Sequence, residues 1–363
     1  MIIKRSLINE FLVVLMALIL ILSQTIFDYI QVLLELTLFF ILIFLLLKRK
    51  LKIWEISLLL LVIVTQLMSM LIYDNSLNTF MLNTKVIGLA FLSFMYFRHN
   101  ATVTVSMKVL FIICLSLVLI QYFITIKFPV NISQSLMRNV SIYTQTNRPL
   151  GLFMDFHTSA YFLAIYFIGI NLTRKLFFID LLIMWLIGVK TSFLALVGQK
   201  FFTAVGIRFY NFQKASFQIT SVIVGVVLLL TIFLPIFFSL LDIVGYNYGN
   251  SSKVMAKAII NPSIYIDSIY LLPMDINQHS NSHIYYIGDG YGHIIGGELG
   301  LVNIMILAGA PLGFILLYFL LKFTPSFRVF ILLTLLHFTA ILNPLIIYLV
   351  FMFENMQKQR KEE

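Results

Sequence analysis

Two stretches of this chain hold residue types that can move a proton or grip a phosphate. The first, "INQHSNSHIYYIGDGYGHIIGGELGL" (276–301), gathers His279, His283, Asp289, His293 and Glu298 among glycines at 288, 290, 292, 296 and 297. A histidine with an ordinary pKa near ~6.5 is largely neutral at pH 7 and can accept a proton from a hydroxyl. His279 and His283 are therefore the leading candidates for a general base. Asp289, in the "GDGYG" turn, is the third, and is equally suited to holding hydroxyl groups where glycine lets backbone approach a ligand. The second stretch, "NRPLGLFMDFHTSAYFLA" (147–164), sets Arg148, Asp155 and His157 at the lip of an apolar helix. Arg138 lies ten residues earlier. Arginine forks pair with phosphate oxygens and keep their charge, so Arg138 and Arg148 can clamp a pyrophosphate.

Each candidate has a plainer reading. Basic residues near an apolar span commonly reach out to lipid headgroups; that account fits Arg138 as well as a clamp does, and fits Lys190 better unless it faces Arg148. Arg148, wedged between a turn and a helix start, favours function. Lys200 sits inside an apolar run, where an ionisable group is costly and is expected to face the bundle interior. Glu298 opens the tenth apolar run, and a carboxylate there also suits a helix N-terminus. His157 and Glu298 read as positioning groups. The histidine spacings of four and ten lack a His-Glu-x-x-His pattern, and no Gly-Lys-Ser/Thr follows the glycines, so neither a metal site nor a nucleotide loop is expected.

The elements that must position these groups are apolar. Of 363 residues 61% are hydrophobic and 11% charged, with mean hydropathy +1.00. Runs of leucine, isoleucine, phenylalanine and valine without period-2 alternation predict helices long enough to cross a ~30 Å hydrocarbon layer. They fall at 7–27, 30–47, 53–73, 81–97, 109–126, 157–172, 176–189, 191–207, 216–239, 299–321 and 329–352. The expected fold is all-α: a polytopic integral membrane bundle of about 11–12 transmembrane helices. It forms one domain, 1–363, with two large external loops at 127–156 and 240–297. The short joints "KRKLK", "RHN…MK", "RK", "RFYNFQK" and "KFTPSFR", with Lys4 and Arg5, carry 14 Lys and Arg; the opposite face, Lys85 included, carries 7. That asymmetry predicts the short joints to be cytoplasmic. Eleven spans would leave the basic tail outside, whereas a helix break at Asn343-Pro344 would return it to the cytoplasm. The first run reads as a retained anchor. The lone Cys114 admits no internal disulfide, and the net charge of +10, dispersed over loop joints, suggests membrane topology and no nucleic acid.

"RPLGLFMDFHTSAYFLA" and "IGDGYGHIIGGELGLVNIMILAGAPLGFILL" resemble the Wzy-type polysaccharide polymerases, relatives of the O-antigen ligases. Arg148 and Gly151 match that family's Arg-x-x-Gly opening of a mid-chain helix. Gly288-Asp289-Gly290 and Glu298-Leu299-Gly300-Leu301 match its late glycine-rich stretch. "VKTSFLAL" places Lys190 at a basic helix start, and "LLHFTAILNP" is similar to the closing His…Pro segment. One departure is that Pro149, not glycine, stands eleven residues after Arg138. The resemblance implies an enzyme of the bacterial cytoplasmic membrane that uses no cofactor. Its reaction would move a growing glycan from undecaprenyl pyrophosphate to the sugar hydroxyl of another lipid-linked repeat unit. Membrane lipids, a flippase and a chain-length regulator are the implied companions. A ligase would differ only in its acceptor. A flippase would place ionisable groups inside spans and keep external loops short. A sugar acyltransferase would need a His-Asp pair on a helix, which the sequence lacks.

Overall fold

A computed structural model describes residues 2–25, 28–47, 51–73, 77–99, 108–127, 149, 151–153, 156–170, 177–187, 189–204, 304, 307–335 and 343–362. These residues are all-α, with no strand among them. The helices are α1 (Ile2–Thr25), α2 (Asp28–Leu47), α3 (Ile53–Tyr73), α4 (Leu77–His99), α5 (Lys108–Lys127) and α6 (Phe156–Ile170). They continue with α7 (Phe177–Ile187), α8 (Lys190–Ala204), α9 (Ala310–Phe323), α10 (Arg328–Thr334) and α11 (Pro344–Glu362).

Local chemistry sets the helix ends. Lys52 donates its backbone N–H to Glu55 Oε2 at 2.9 Å, one half of a capping box that starts α3. Asn343 Oδ1 accepts the N–H groups of Leu345 (3.0 Å) and Ile346 (3.4 Å), and Pro344 takes the first helical position, where its missing donor costs nothing. Asn343-Pro344 is thus a helix start, which splits the predicted 329–352 span into α10 and α11. The predicted 299–321 span is also broken, at Gly309, whose φ of 75° is left-handed. The joint "KFTPSFR" is not a solvated loop either. Thr324 and Phe327 are fully buried, Pro325–Phe327 forms a 3₁₀ turn, and the chain bends by 100° there. Glu354 of α11 explains this, because its Oε2 accepts the Ser326 N–H at 2.9 Å and so satisfies a buried donor.

Pairs of contacts fix the helix directions. Glu35 meets Lys85, and Gly88 lies against Phe39, so α2 and α4 run parallel. Ser23 donates to Glu35 Oε1, so α1 returns antiparallel to α2. Phe111 stacks on Tyr166 at 3.9 Å while Gln121 reaches Gly151, so α5 is antiparallel to α6. Asn343 binds Thr158 at the start of α6, and Gln357 Nε2 donates to the Ile168 and Gly169 carbonyls at its end. Hence α6 and α11 are parallel, with Gly169 letting the Phe353 ring close in where a Cβ would approach it to 2.6 Å. Asn355 Nδ2 donates to Phe97 O, aligning the end of α11 with the end of α4.

One end of the bundle therefore gathers the start of α1, the ends of α4 and α6, the start of α5 and the tail of α11. This basic end includes Lys4, Arg5, Arg98, Lys108, Lys358, Arg360 and Lys361. The core is a single cluster running through all these helices. Outside it, large apolar side chains stand exposed on α2, α3, α5 and α7, among them Phe40, Ile53 (85% exposed), Leu60, Leu71 (80%), Ile112 and Trp185. Among the described residues one continuous helix, Ile53–Ile72, is by itself long and apolar enough to cross a membrane. The bent pair Pro311–Phe323 with Pro325–Thr334 passes the same test jointly. This is fewer than the eleven runs that hydropathy predicts.

Candidate functional site

At the end of the bundle opposite the basic cluster, residues 151–153 form a turn that leads into α6. Gly151 takes φ 69°, and its N–H donates to Gln121 Oε1 of α5 at 2.7 Å. A Cβ at this position would strike Ser159 Oγ and lie 2.8 Å from Ser159 Cβ. Conformation and space both demand glycine here. Phe153, fully buried, meets Phe162 edge-on at 5.2 Å and anchors the other side of the turn. The Arg-x-x-Gly element read in the sequence therefore ends in a turn pinned by a side chain from each neighbouring helix. Arg148 and Asp155, which flank it, lie outside the described residues.

His157 is 9% exposed in the first turn of α6, its ring 6.4 Å from that of Tyr161. Next to it Thr158 Oγ1 accepts from Asn343 Nδ2 at 3.1 Å. This end of the bundle thus joins the turn, a buried imidazole and the start of α11. His157, expected as a positioning residue, is buried in the first turn of α6 beside Tyr161. Lys190 begins α8, which packs against α6; Ser192 Oγ donates to the Val189 carbonyl at 2.9 Å and shapes that start. His279, His283, Asp289, Arg138 and Glu298 lie outside the described residues. Lys200 is buried, as an ionisable group inside an apolar run should be.

Sequence reasoning missed a polar centre in the same half of the bundle. Lys85, counted there as an external charge, is inside, paired with Glu35 of α2. Ser23 of α1 completes the knot, donating to both Glu35 Oε1 (3.3 Å) and the Leu20 carbonyl (2.7 Å). Two residues before Lys85, Asn83 is buried with no hydrogen-bond partner for either side-chain amide atom. An acid inside the second apolar run and a base inside the fourth were the signal that this pair existed.

At the basic end the polar groups are linked differently. Glu55 accepts from or pairs with His99 Nε2 (3.0 Å) and Arg98 (3.8 Å). The Arg98 guanidinium lies 4.7 Å above the Trp54 ring, a cation–π contact that clamps α3 to α4. The chain matches no protein-family model, no curated protein and no solved structure.

Proposed function

We propose that this chain is an integral membrane polymerase of lipid-linked oligosaccharide repeat units, its basic end in the cytoplasm and its α6 turn facing outward. It is a bundle of eleven or twelve spans in a bacterial cytoplasmic membrane. It transfers a growing glycan from undecaprenyl pyrophosphate to the sugar hydroxyl of a second lipid-linked repeat unit. The pyrophosphate leaving group supplies the driving force. Arg138, Arg148 and Lys190 neutralise the departing charge, which an electrostatic clamp does best in a water-poor site. His279 or His283 removes the acceptor proton, Asp289 being the alternative base, and Asp155, His157 and Glu298 position the sugars.

The observation that carries this reading is the polarity of the bundle. Basic residues collect at one end, and the glycine-determined turn with His157 lies at the other. The exposed Ile53, Leu60 and Leu71 side chains favour a lipid surround, since contiguous exposed apolar faces of this kind are rare on soluble surfaces. Under this reading the parallel course of α6 and α11 returns the tail to the cytoplasm.

The test is the length distribution of surface polysaccharide in a deletion strain. Single repeat units are expected; long unattached chains would indicate a ligase, and repeats trapped inside the cell a flippase. In the complemented strain Arg148→Lys, which keeps charge but loses the fork, should impair chain extension. Full-length chains at normal abundance from Arg148→Ala protein, expressed at the wild-type level, would discard the clamp. His279→Ala or His283→Ala should halt extension while lipid-linked units accumulate. Long chains from the double variant would move the base to Asp289 or Glu298.

A further inference from the structure

The break before α9 and the unpartnered Asn83 lie at the same level of the bundle. Leu307 shows why the chain breaks where it does. Its carbonyl would bond to the N–H four residues on, but that residue is Pro311, which has none. Gln66 of α3 supplies the missing donor, its Nε2 lying 2.9 Å from Leu307 O. Gly309 then turns with φ 75° and ψ 151°, and α9 begins without any side-chain cap. Its first turn leaves the N–H groups of Ala310 and Leu312 with no intrahelical acceptor. This is the positive end of a fourteen-residue helix, with Gly309, Leu312 and Gly313 buried and Pro311 exposed.

Helical register brings Asn83 to that end. Phe91 meets Phe319 at 6.1 Å, and Phe94 meets Phe319 at 5.3 Å and Phe323 at 4.6 Å, so α4 and α9 run parallel. Asn83 precedes Phe94 by eleven residues, about three turns, and so lies on the same stripe of α4. Eleven residues before Phe319 and Phe323 are Ala308 and Leu312, the two sides of the break. The α3 contacts give an independent check: Trp54 stacks on Phe319 at 5.7 Å and Gln66 holds Leu307, twelve residues away on each segment. Lys85, two residues on, projects from a different face to Glu35 and does not compete. Asn83 is 1% exposed with both amide atoms unpartnered, a costly arrangement for an otherwise apolar helix face.

We infer that the first turn of α9, Gly309–Gly313, together with the Asn83 amide, is a binding site for a phosphate-ester anion. Helix N–H groups receive the oxygens, and the Asn83 amide donates a further hydrogen bond. The site lies in the same half of the bundle as the α6 turn, about 9 Å along α4 from its first residue, Leu77, at 1.5 Å per residue. Identifying the anion as the pyrophosphate of a polyprenyl carrier rests on the polymerase reading; the site itself does not.

The experiment uses the full chain in phosphatidylcholine nanodiscs, titrated with radiolabelled farnesyl pyrophosphate. Asn83→Asp sets a carboxylate against the anion and should weaken binding roughly tenfold or more. Asn83→Leu removes the unpartnered amide; its Tm without ligand should rise while the ligand-induced Tm increase shrinks. Inorganic pyrophosphate should compete and farnesol should not. Wild-type affinity in both folded variants, or equal competition by farnesol, overturns the site. Displacement of the probe by phosphatidylglycerol in the nanodisc assigns the site to a lipid headgroup and overturns the carrier. Asn83-dependent binding in a protein whose deletion leaves polysaccharide length unchanged keeps the site and overturns the polymerase reading. Short chains in the deletion strain with Asn83-independent binding do the reverse.

Discussion

The two ends of this bundle treat buried polar groups in opposite ways. At the basic end, Glu55 is satisfied by Lys52 N–H, His99 and Arg98, and Glu354 is satisfied by the Ser326 N–H. At the other end Glu35 and Lys85 are paired, but Asn83 on the same helix is not, and the first turn of α9 is uncapped. A bundle that needed only stability would finish both ends alike. The basic end holds helices together; at the opposite end the Glu35–Lys85 pair and the Asn343–Thr158 bond do the same, while Asn83 is left without a partner near a backbone break at a left-handed glycine. Proteins generally keep such unsatisfied groups where function uses them.

The largest expected effect comes from unpairing the buried Glu35–Lys85 ion pair at the end opposite the basic cluster. Lys85→Met leaves Glu35 charged and uncompensated, which should destabilise the protein by about 3–5 kcal/mol. The double variant Glu35→Leu with Lys85→Met should recover to within ~1 kcal/mol of wild type, because two apolar side chains replace the pair. Unfolding in mixed detergent micelles measures both. Equal losses in the single and double variants would show that the pair does more than hold α1, α2 and α4.

Gly151→Ala is next. It forces a Cβ into a left-handed conformation and onto Ser159, for an expected cost of about 1–3 kcal/mol. Under the polymerase proposal, chain extension should fall further than stability does, because the turn leads into α6. Adding Ser159→Gly removes the clash and should restore part of the stability. A Gly151→Ala protein with normal polysaccharide length would mean that the turn has only a structural role.

Smaller losses are expected from a helix cap and from the basic end. Asn343→Ala, at the opposite end, removes the α11 cap and the bond to Thr158, for roughly 1 kcal/mol. Glu55→Gln weakens a partly exposed pair with Arg98 and His99 and should cost about 1 kcal/mol or less, an effect that shrinks in high salt. Under the polymerase proposal, neither the rate nor the length of polymerisation should change in Glu55→Gln. A loss of activity there would blur the division between the ends.

The smallest effects belong to the outer faces. Leu60→Ile and Leu71→Ile should shift stability by less than ~0.5 kcal/mol. Spin labels on cysteines placed at these two positions should be relaxed by oxygen dissolved in lipid and not by a water-soluble nickel chelate. The opposite pattern would remove the membrane assignment.

Much of this fold was legible in the chain itself. Apolar runs named the helices between residues 28 and 204 to within a few residues, whereas the 299–321 and 329–352 runs proved to be broken and the 216–239 run lies outside the described residues. The Lys and Arg bias foretold that charged ends would gather on one side. Gly151 was visible as the glycine of an Arg-x-x-Gly element, and Lys200 as a charge that would turn inward, but the left-handed conformation that requires Gly151 was not. Three further features were not legible. Lys85 read as an outer charge because periodicity in a helix apolar all round does not say which face meets a neighbour; only the approach of α2 supplies Glu35. The joint 322–328 read only as a short connection between two apolar runs because nothing local announces that Glu354, twenty-eight residues from Ser326, will satisfy its backbone. The break at Gly309 lies in Ala-Gly-Ala-Pro, but that Gln66 repairs one side of it and that Asn83 is buried without a partner depend on the packing of α3 and α4. Sequence by itself determines what each segment must bury. Which buried polar group finds a partner, and which is left open, is decided by contacts between residues far apart in the chain, and those exist only once the helices are packed.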